Sequence, residues 1–333
     1  MGKTKRVCMS FVSAILCMAA MGCGSATISA EDAYQVEVTS TPVPTATSTP
    51  ESTVTPTPAP TATSTPAPTA TPTPTPIPEP IPEEWSKTTM EIVRDMGIGI
   101  NLGNTFEAFG DWVDKWGDGS VASYVTCWGS PVITKEMIQG YAKEGFGVLR
   151  VPVHWFNLMD EEYNISPDYL AAVKEVVDWA LEADLYVIVN IHHDEDEFFA
   201  GFPKDKEGHM ANYIKVWEQL AEAFRDYDER LMLESLNEEG GWDSLWNKWG
   251  NGTGKPEAYA ILNEINQAFV DTVRASGKKN ATRCLIVNTY CAGANKDVLK
   301  YFVLPEDTVA DKLIVEAHIY QPYYFTSEVS PDV

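Results

Sequence analysis

The residues best suited to chemistry in this chain stand at the ends of apolar stretches. Residues 231–238 read Leu-Met-Leu-Glu-Ser-Leu-Asn-Glu, followed by Glu239, Gly240 and Gly241. The stretch opens as a strand does on entering a packed core. It closes on an amide, Asn237, and a carboxyl, Glu238. A carboxyl group beside a Gly-rich turn at the end of a buried strand can give or take a proton, and an α/β barrel keeps its chemistry in that place. Taken alone, Glu238 reads as a solvated loop acid; its company argues otherwise.

That company is a set of polar or aromatic groups closing other apolar stretches. These are Asn104, His154-Trp155, His192-His193-Asp194, Asn288 and Tyr290, and His318 and Tyr320. Arg150, between Leu149 and Val151-Pro152, is a cation inside a strand rather than half of a surface ion pair. His192 and His193 could suggest a metal pair, but strand neighbours point to opposite faces and no third ligand presents itself. No metal and no cofactor are expected.

Strands and helices alternate so as to position these groups. Strands are expected over residues 98–104, 148–155, 185–193, 231–238, 284–290 and 313–320. Between them, Thr134 caps a helix that ends at Gly145, and Ser166-Pro167 opens a helix with an apolar stripe of Val173, Val176, Val177, Ala180 and Leu181. Further helices are expected over residues 210–224 and 256–275, with a short one near 297–302. Regular alternation with apolar strands means a parallel sheet covered by helices. Polar groups at nearly every strand end favour one functional rim, hence a TIM (β/α)8 barrel over a doubly wound sheet. No G-x-G-x-x-G or Walker motif follows a strand. About six of the eight βα units are present, so the barrel is expected to be incomplete.

Composition excludes some partners. The formal net charge is -24 and the pI about 4.5, the wrong sign for a nucleic-acid binder. Hydrophobic residues at 44% support a real core, and ten Trp with fourteen Tyr are ample for stacking on sugar faces. A monomer acting on something neutral is expected. The six cysteines show no C-x-x-C pair; Cys127, Cys284 and Cys291 read as mostly buried thiols, with one disulfide possible after export.

The first residues are a targeting segment. Lys3, Lys5 and Arg6 precede an apolar run, and residues 1–22 read as a signal peptide of lipoprotein type, with Cys23 as the acylated residue. Ordinary cleavage near Ala26 or Ala30 is the competing expectation. Residues 23–38 form a short N-terminal segment, residues 39–84 a Thr/Pro-rich linker without a core of its own, and residues 85–333 the catalytic domain. The protein is expected to be exported, as a cell-surface lipoprotein or an extracellular protein. Its only membrane contact would be the lipid anchor.

Six segments carry a family resemblance. They are Gly99-Ile100-Asn101-Leu102-Gly103-Asn104, Trp128-Gly129-Ser130-Pro131, Leu149-Arg150-Val151-Pro152, Asn190-Ile191-His192-His193-Asp194, Leu236-Asn237-Glu238 and His318-Ile319-Tyr320-Gln321-Pro322-Tyr323. Each is weak alone; in this order they resemble glycoside hydrolase family 5, in the branch of endo-β-1,4-glucanases, or cellulases. The resemblance implies a retaining enzyme with two carboxyl groups about 5 Å apart. Glu238 would be the acid/base, its pKa held above that of a free Glu, and Asn237 would hydrogen-bond the sugar 2-OH. Arg150 would hold the nucleophile ionised, with His318 and Tyr320 lining the site beside it. Asn104, His192, His193 and Trp128 join the substrate-binding or supporting set. Trp112, Trp116, Trp242, Trp246 and Trp249 are further stacking candidates, about half of them expected to be structural. The substrate would be a β-glucan polysaccharide: cellulose, mixed-linkage glucan or xyloglucan.

Some expectations turn on departures from the family pattern. Ile100 stands where the family usually has Trp, which could alter core packing or a sugar contact. Glu239 stands where it has Pro, which would loosen the turn after the acid. Strict alternation would send Asn237 and Glu238 to opposite faces, so a twist or bulge is expected there. The family nucleophile, a Glu in a Gly-Glu-Phe-like context on the seventh strand, is missing. The chain is therefore expected to be a C-terminally truncated form, inactive by itself and poorly stable. Glu316, on the same face as His318, is a poor substitute. The alternative is a non-catalytic carbohydrate-binding protein on a degenerate hydrolase scaffold.

Overall fold

The computed structural model describes residues 87–193, 198–199, 201–239, 256–322 and 326. The signal peptide, the linker and Cys23 lie outside the described residues, as do Asp194, Trp242, Trp246, Trp249 and Glu328.

Six strands form one parallel sheet in sequential order: β1 (Gly99–Asn101), β2 (Val148–Val151), β3 (Tyr186–Asn190), β4 (Leu231–Glu234), β5 (Leu285–Asn288) and β6 (Leu313–Glu316). Every neighbouring pair is parallel, so each connection must cross over. These are six strands of an incomplete (β/α)8 barrel. β3, β4 and β5 are buried along their whole length, whereas β1 and β6, at the ends of the strand order, are partly exposed.

Period-two alternation gives the sheet two different faces. Leu149, Val151, Val187, Val189, Leu231, Leu233, Leu285 and Val287 pack into the large apolar core with the helices. Val148, Tyr186, Ile188, Met232, Cys284, Ile286 and Ile314 form a second, smaller cluster, with Ile92 from helix α1 (Thr89–Met96). Two residues further along the strands, this second face changes from apolar to polar: Arg150 on β2, Asn190 on β3, Glu234 on β4, Asn288 on β5 and Glu316 on β6. The chemistry sits at that level.

The helices follow from local signals. Thr88 opens α1 with a capping box, its side chain and that of Glu91 each taking the other's backbone N–H. After α1 come two short helices, α2 (Asp111–Trp116) and α3 (Val121–Val125). Thr134 caps α4 (Lys135–Lys143), which ends before Gly145 at φ +95°, a value that suits only glycine well. Pro167 opens α5 (Pro167–Glu182), whose Tyr169, Val173, Val176, Val177 and Ala180 are buried. Next are α6 (Phe202–Phe224), α7 (Pro256–Ala275) and α8 (Lys296–Tyr301). Helix α6 starts earlier than residue 210, with the buried Phe202 in a first turn set off from the rest by a kink at Asp205 (φ -149°, ψ 74°).

Several expected boundaries are corrected. The strands stop two to four residues early at their C-terminal ends, and beyond β2 and β4 side-chain amides replace the ladder. Val153 N–H donates to Asn190 Oδ1 and Leu236 N–H to Asn288 Oδ1. Asn237 and Glu238 therefore lie in a loop rather than in a bulged strand. The reading of the thiols is also corrected: Cys127, Cys284 and Cys291 form no disulfide, and of the three only Cys284 is buried. Ile100 is half-buried and packs on the large core.

At the opposite ends of the strands sits a second buried arginine. Arg283 is fully buried just before β5. It donates to the carbonyls of Phe224, Tyr227, Asp228 and Leu231 and to Asn280 Oδ1, tying the end of α6 to the start of β4. Burial pushes its guanidinium down from the usual arginine value.

Candidate active site

Arg150 is the pivot of the polar layer. Its Nε and Nη2 donate to the two oxygens of Glu234 at 2.8 and 2.6 Å, a bidentate pair, and Nη2 also donates to Asn237 Oδ1 at 3.0 Å. The Glu316 carboxylate lies 3.6 Å from the same Nη2. Burial works against the charge of Arg150, but Glu234, Glu316 and Glu238 outweigh it and raise its pKa further. Glu234 is wholly buried; burial pushes its carboxyl up, opposed by Arg150 and reinforced by Glu316. The sequence reading expected Arg150 to hold a nucleophile; here it holds Glu234.

Glu234 is the functional residue that sequence reasoning missed, and a signal was there. An acid two residues after the inward Met232 on an apolar strand must face the same side, where it needs a cation. Asn190, missed as an individual, completes the pair: its Nδ2 donates to Glu234 Oε1 at 3.0 Å and approaches His192 Nδ1 at 3.1 Å.

Glu238 is held from the other side. His318 Nδ1 stands 2.6 Å from Glu238 Oε1, and Tyr320 Oη donates to the same oxygen at 3.2 Å. His318 Nε2 stands 2.7 Å from Glu316 Oε1. Burial opposes a charged His318, but the two carboxylates overcome it and its pKa is pushed up to about 9. Glu316 is held below the usual carboxylate range: burial pushes it up, but His318 and Arg150 outweigh that. Burial and the charge of Glu238 push the Tyr320 hydroxyl up. His318 and Tyr320, expected beside a nucleophile, serve Glu238.

Glu239 corrects the expected loosening of the turn. It is buried, and its Oε2 accepts the Asn237 N–H at 2.8 Å while its carbonyl accepts the Cys291 N–H. Without proline's fixed φ, the turn is fastened by the carboxylate instead. With Asn237 Oδ1 taken by Arg150, the amide NH2 is the end suited to donate to a ligand hydroxyl.

The aromatic side of the site joins three loops. Trp128, partly exposed, donates from Nε1 to the Phe109 carbonyl at 2.8 Å. Its ring lies 5.5 Å from Phe109 and 6.1 Å from His193, and Phe109 also meets His154 at 4.9 Å. Phe109 and His154 thus belong with Trp128 and His193 in a face able to receive a sugar ring. Burial holds His192 well below its ordinary pKa, with His193 and Arg150 adding to the effect. Trp112 and Trp116 sit exposed on α2. Asn104 is exposed at φ 59°, beyond β1, and its backbone N–H donates to Glu107 Oε1; no described contact of its side chain brings it to Glu238. Glu107 is buried, and burial raises its pKa despite the N–H donors. No group of three His, Cys, Asp or Glu side chains among the described residues is arranged to hold a metal.

A buried Arg–carboxylate pair beside an Asn-Glu loop, with a His and a Tyr on the acid, brings together groups that can give and take a proton. Comparison with known proteins identifies the family. The family model for cellulase, glycosyl hydrolase family 5, matches residues 107–332. Endoglucanase B of Ruminococcus albus is 39% identical over 237 residues, covering 71% of this chain and 54% of that protein. A xyloglucan-specific endo-β-1,4-glucanase of Bacteroides ovatus is 38% identical over 245 residues, 72% of this chain and 46% of that protein. Among solved structures, a broad-specificity endoglucanase from Ruminococcus champanellensis with bound cellotriose superposes with a TM-score of 0.65 at 39% identity, covering 71% of this chain and 67% of that one. A family 5 enzyme from Prevotella bryantii in complex with a xyloglucan tetradecasaccharide gives 0.64 at 38% identity, over 73% and 69%. The chain spans about half the length of the curated relatives it matches. With the family motifs, the parallel barrel strands and the family match in agreement, the chain belongs to glycosyl hydrolase family 5, the cellulase family.

Proposed function

We propose that the full-length protein hydrolyses internal β-1,4-glucosidic bonds of a plant cell-wall β-glucan with retention of configuration, and that Glu238 is its acid/base. The observation that carries this reading is the pairing of Asn237 with Arg150 and of Glu238 with His318 and Tyr320 in one loop. Glu238 would protonate the leaving oxygen and later activate water, while the Asn237 amide would bind a sugar hydroxyl. The relatives named for endoglucanase and xyloglucanase activity support cellulose, mixed-linkage glucan or xyloglucan as the substrate class.

The nucleophile is neither Glu234 nor Glu316. Glu234 is wholly buried on Arg150, and the His318 ring fills the space between Glu316 and Glu238. A retaining pair needs a sugar ring there, with about 5 Å between carboxyl groups. The nucleophile is assigned to the part of the relatives' length that this chain does not span. In the full-length protein, Glu238→Gln should lower kcat on a β-glucan by at least ~10²-fold and spare the first step on aryl glycosides with good leaving groups. Near-normal polysaccharide turnover in this variant would sink the assignment and favour a carbohydrate-binding protein on a hydrolase scaffold.

Export to the cell surface through acylated Cys23 is the accompanying proposal. It rests on the basic start, the apolar run and the Gly22-Cys23 step. Cys23→Ala should move the protein from the membrane fraction to the medium; a wild type already free in the medium, starting near Ala26, would refute it.

A further inference from the structure

His318 is placed so that both ring nitrogens face carboxylates, Glu238 at 2.6 Å and Glu316 at 2.7 Å. Neither contact can be a hydrogen bond without a proton between the two atoms, so these two contacts alone use two protons. Glu316 is itself fixed from behind, 3.6 Å from Arg150, which is in turn held by Glu234.

We infer that Glu316 is a positioning residue for the acid/base: by accepting a hydrogen bond from His318 Nε2–H it keeps the ring doubly protonated, so that Nδ1–H occupies Glu238 Oε1 and confines the transferable proton to Oε2. This rests on Glu238 being the acid/base. The proton that leaves Glu238 Oε2 for the glycosidic oxygen returns to it from the attacking water, and His318 keeps both of its protons throughout. If the ring lost its Nδ1 proton, the bare nitrogen would instead take a hydrogen bond from Oε1–H, and the acid's proton would point away from the sugar. The groups acting on His318 are the carboxylates of Glu238 and Glu316 and the cation Arg150, with the His192 ring near enough to feel its charge; the Tyr320 hydroxyl bonds Glu238. The carboxylates dominate, pushing the His318 pKa up to about 9.

Glu316→Gln tests this, because Gln keeps an oxygen acceptor for Nε2–H and loses only the charge. In 15N-labelled full-length protein, with the His318→Gln variant identifying the signals, both wild-type ring nitrogens should stay protonated through about pH 8. In Glu316→Gln, Nδ1 should lose its proton nearer the ordinary histidine value of about 6.5. The alkaline limb of kcat on a β-glucan should move down with it, by ~10-fold in rate at pH 8, with KM unchanged. An unaltered His318 titration in Glu316→Gln would overturn the inference. Should that variant not fold, the wild type alone decides: a His318 ring that titrates near 6.5 refutes it, and one that holds both protons at pH 8 supports it. Failure of the acid/base reading is seen separately, as polysaccharide turnover surviving Glu238→Gln with the His318 titration intact.

Discussion

Two buried arginines stand at opposite ends of the same sheet, and their partners differ in kind. Arg283 is caged by neutral oxygens, four backbone carbonyls and the Asn280 side chain. Arg150 is caged by Glu234, Glu316 and the Asn237 amide. A carbonyl cannot take up a proton at ordinary pH, so none of the oxygens that cage Arg283 titrates. A carboxylate can, so the Arg150 end is sensitive to protonation and linked through Glu316 and His318 to Glu238. The lower end of a barrel commonly serves stability and the upper end chemistry. Here one residue type does both, and the chemical nature of its partners separates the roles.

The largest effect is expected from breaking the neutral cage. Arg283→Ala removes at once the guanidinium donors to the carbonyls of Phe224, Tyr227, Asp228 and Leu231. A loss of ~3–5 kcal/mol is expected, seen as little soluble protein or a strongly lowered denaturant midpoint. A variant that melts near the wild type would show that the cage is ornamental.

Next comes the charged cage. Arg150→Met leaves Glu234 buried without its cation and should cost ~3 kcal/mol. Adding Glu234→Gln removes the stranded charge, and most of the stability should return. Activity on a β-glucan should not: both variants should stay down by at least ~10²-fold, since Asn237 and Glu316 have lost their partner. Recovery of stability and activity together would erase the distinction between the two ends.

The smallest effect is in pH. The folded-state pKa of His318, about 9, lies above its unfolded value of 6.5. Its contribution to stability is therefore fully present below about pH 6.5 and is lost as pH rises through about 9. Thermal melts should fall by several degrees across that window, and His318→Gln should remove this part of the slope.

The sequence made the helices more legible than the strand ends. Both ends of α7 (Pro256–Ala275) are readable, from the proline at its start and the long amphipathic run. The strands were read too long because hydrophobicity continues past the point where Asn190 and Asn288 take over the backbone donors of Val153 and Leu236, and no local pattern marks that exchange. Helix α1 was readable and missed: Thr88 and Glu91 have capping-box spacing. At the site, Glu238, Asn237, Arg150 and His318 are announced by motif and position. Their partnerships are not, because which carboxylate meets Arg150 depends on register between strands 84 residues apart. The effect of Glu239 was misjudged for a similar reason: whether an acid loosens or fastens a turn depends on a backbone donor that sequence does not display.

The Asn190 amide carries a consequence for recognition. Its Oδ1 accepts from Val153 N–H, so its Nδ2 must be the donor toward both Glu234 and His192. His192 Nδ1 then accepts, and the ring, kept neutral by burial, is locked in the Nε2–H tautomer. A ligand meeting that edge of the ring finds a fixed donor, never a lone pair. A sugar hydroxyl or ether oxygen can accept from it. An ammonium or amide N–H in the same place would meet hydrogen against hydrogen. A buried asparagine thus decides which hydrogen-bonding role that edge of the His192 ring can play.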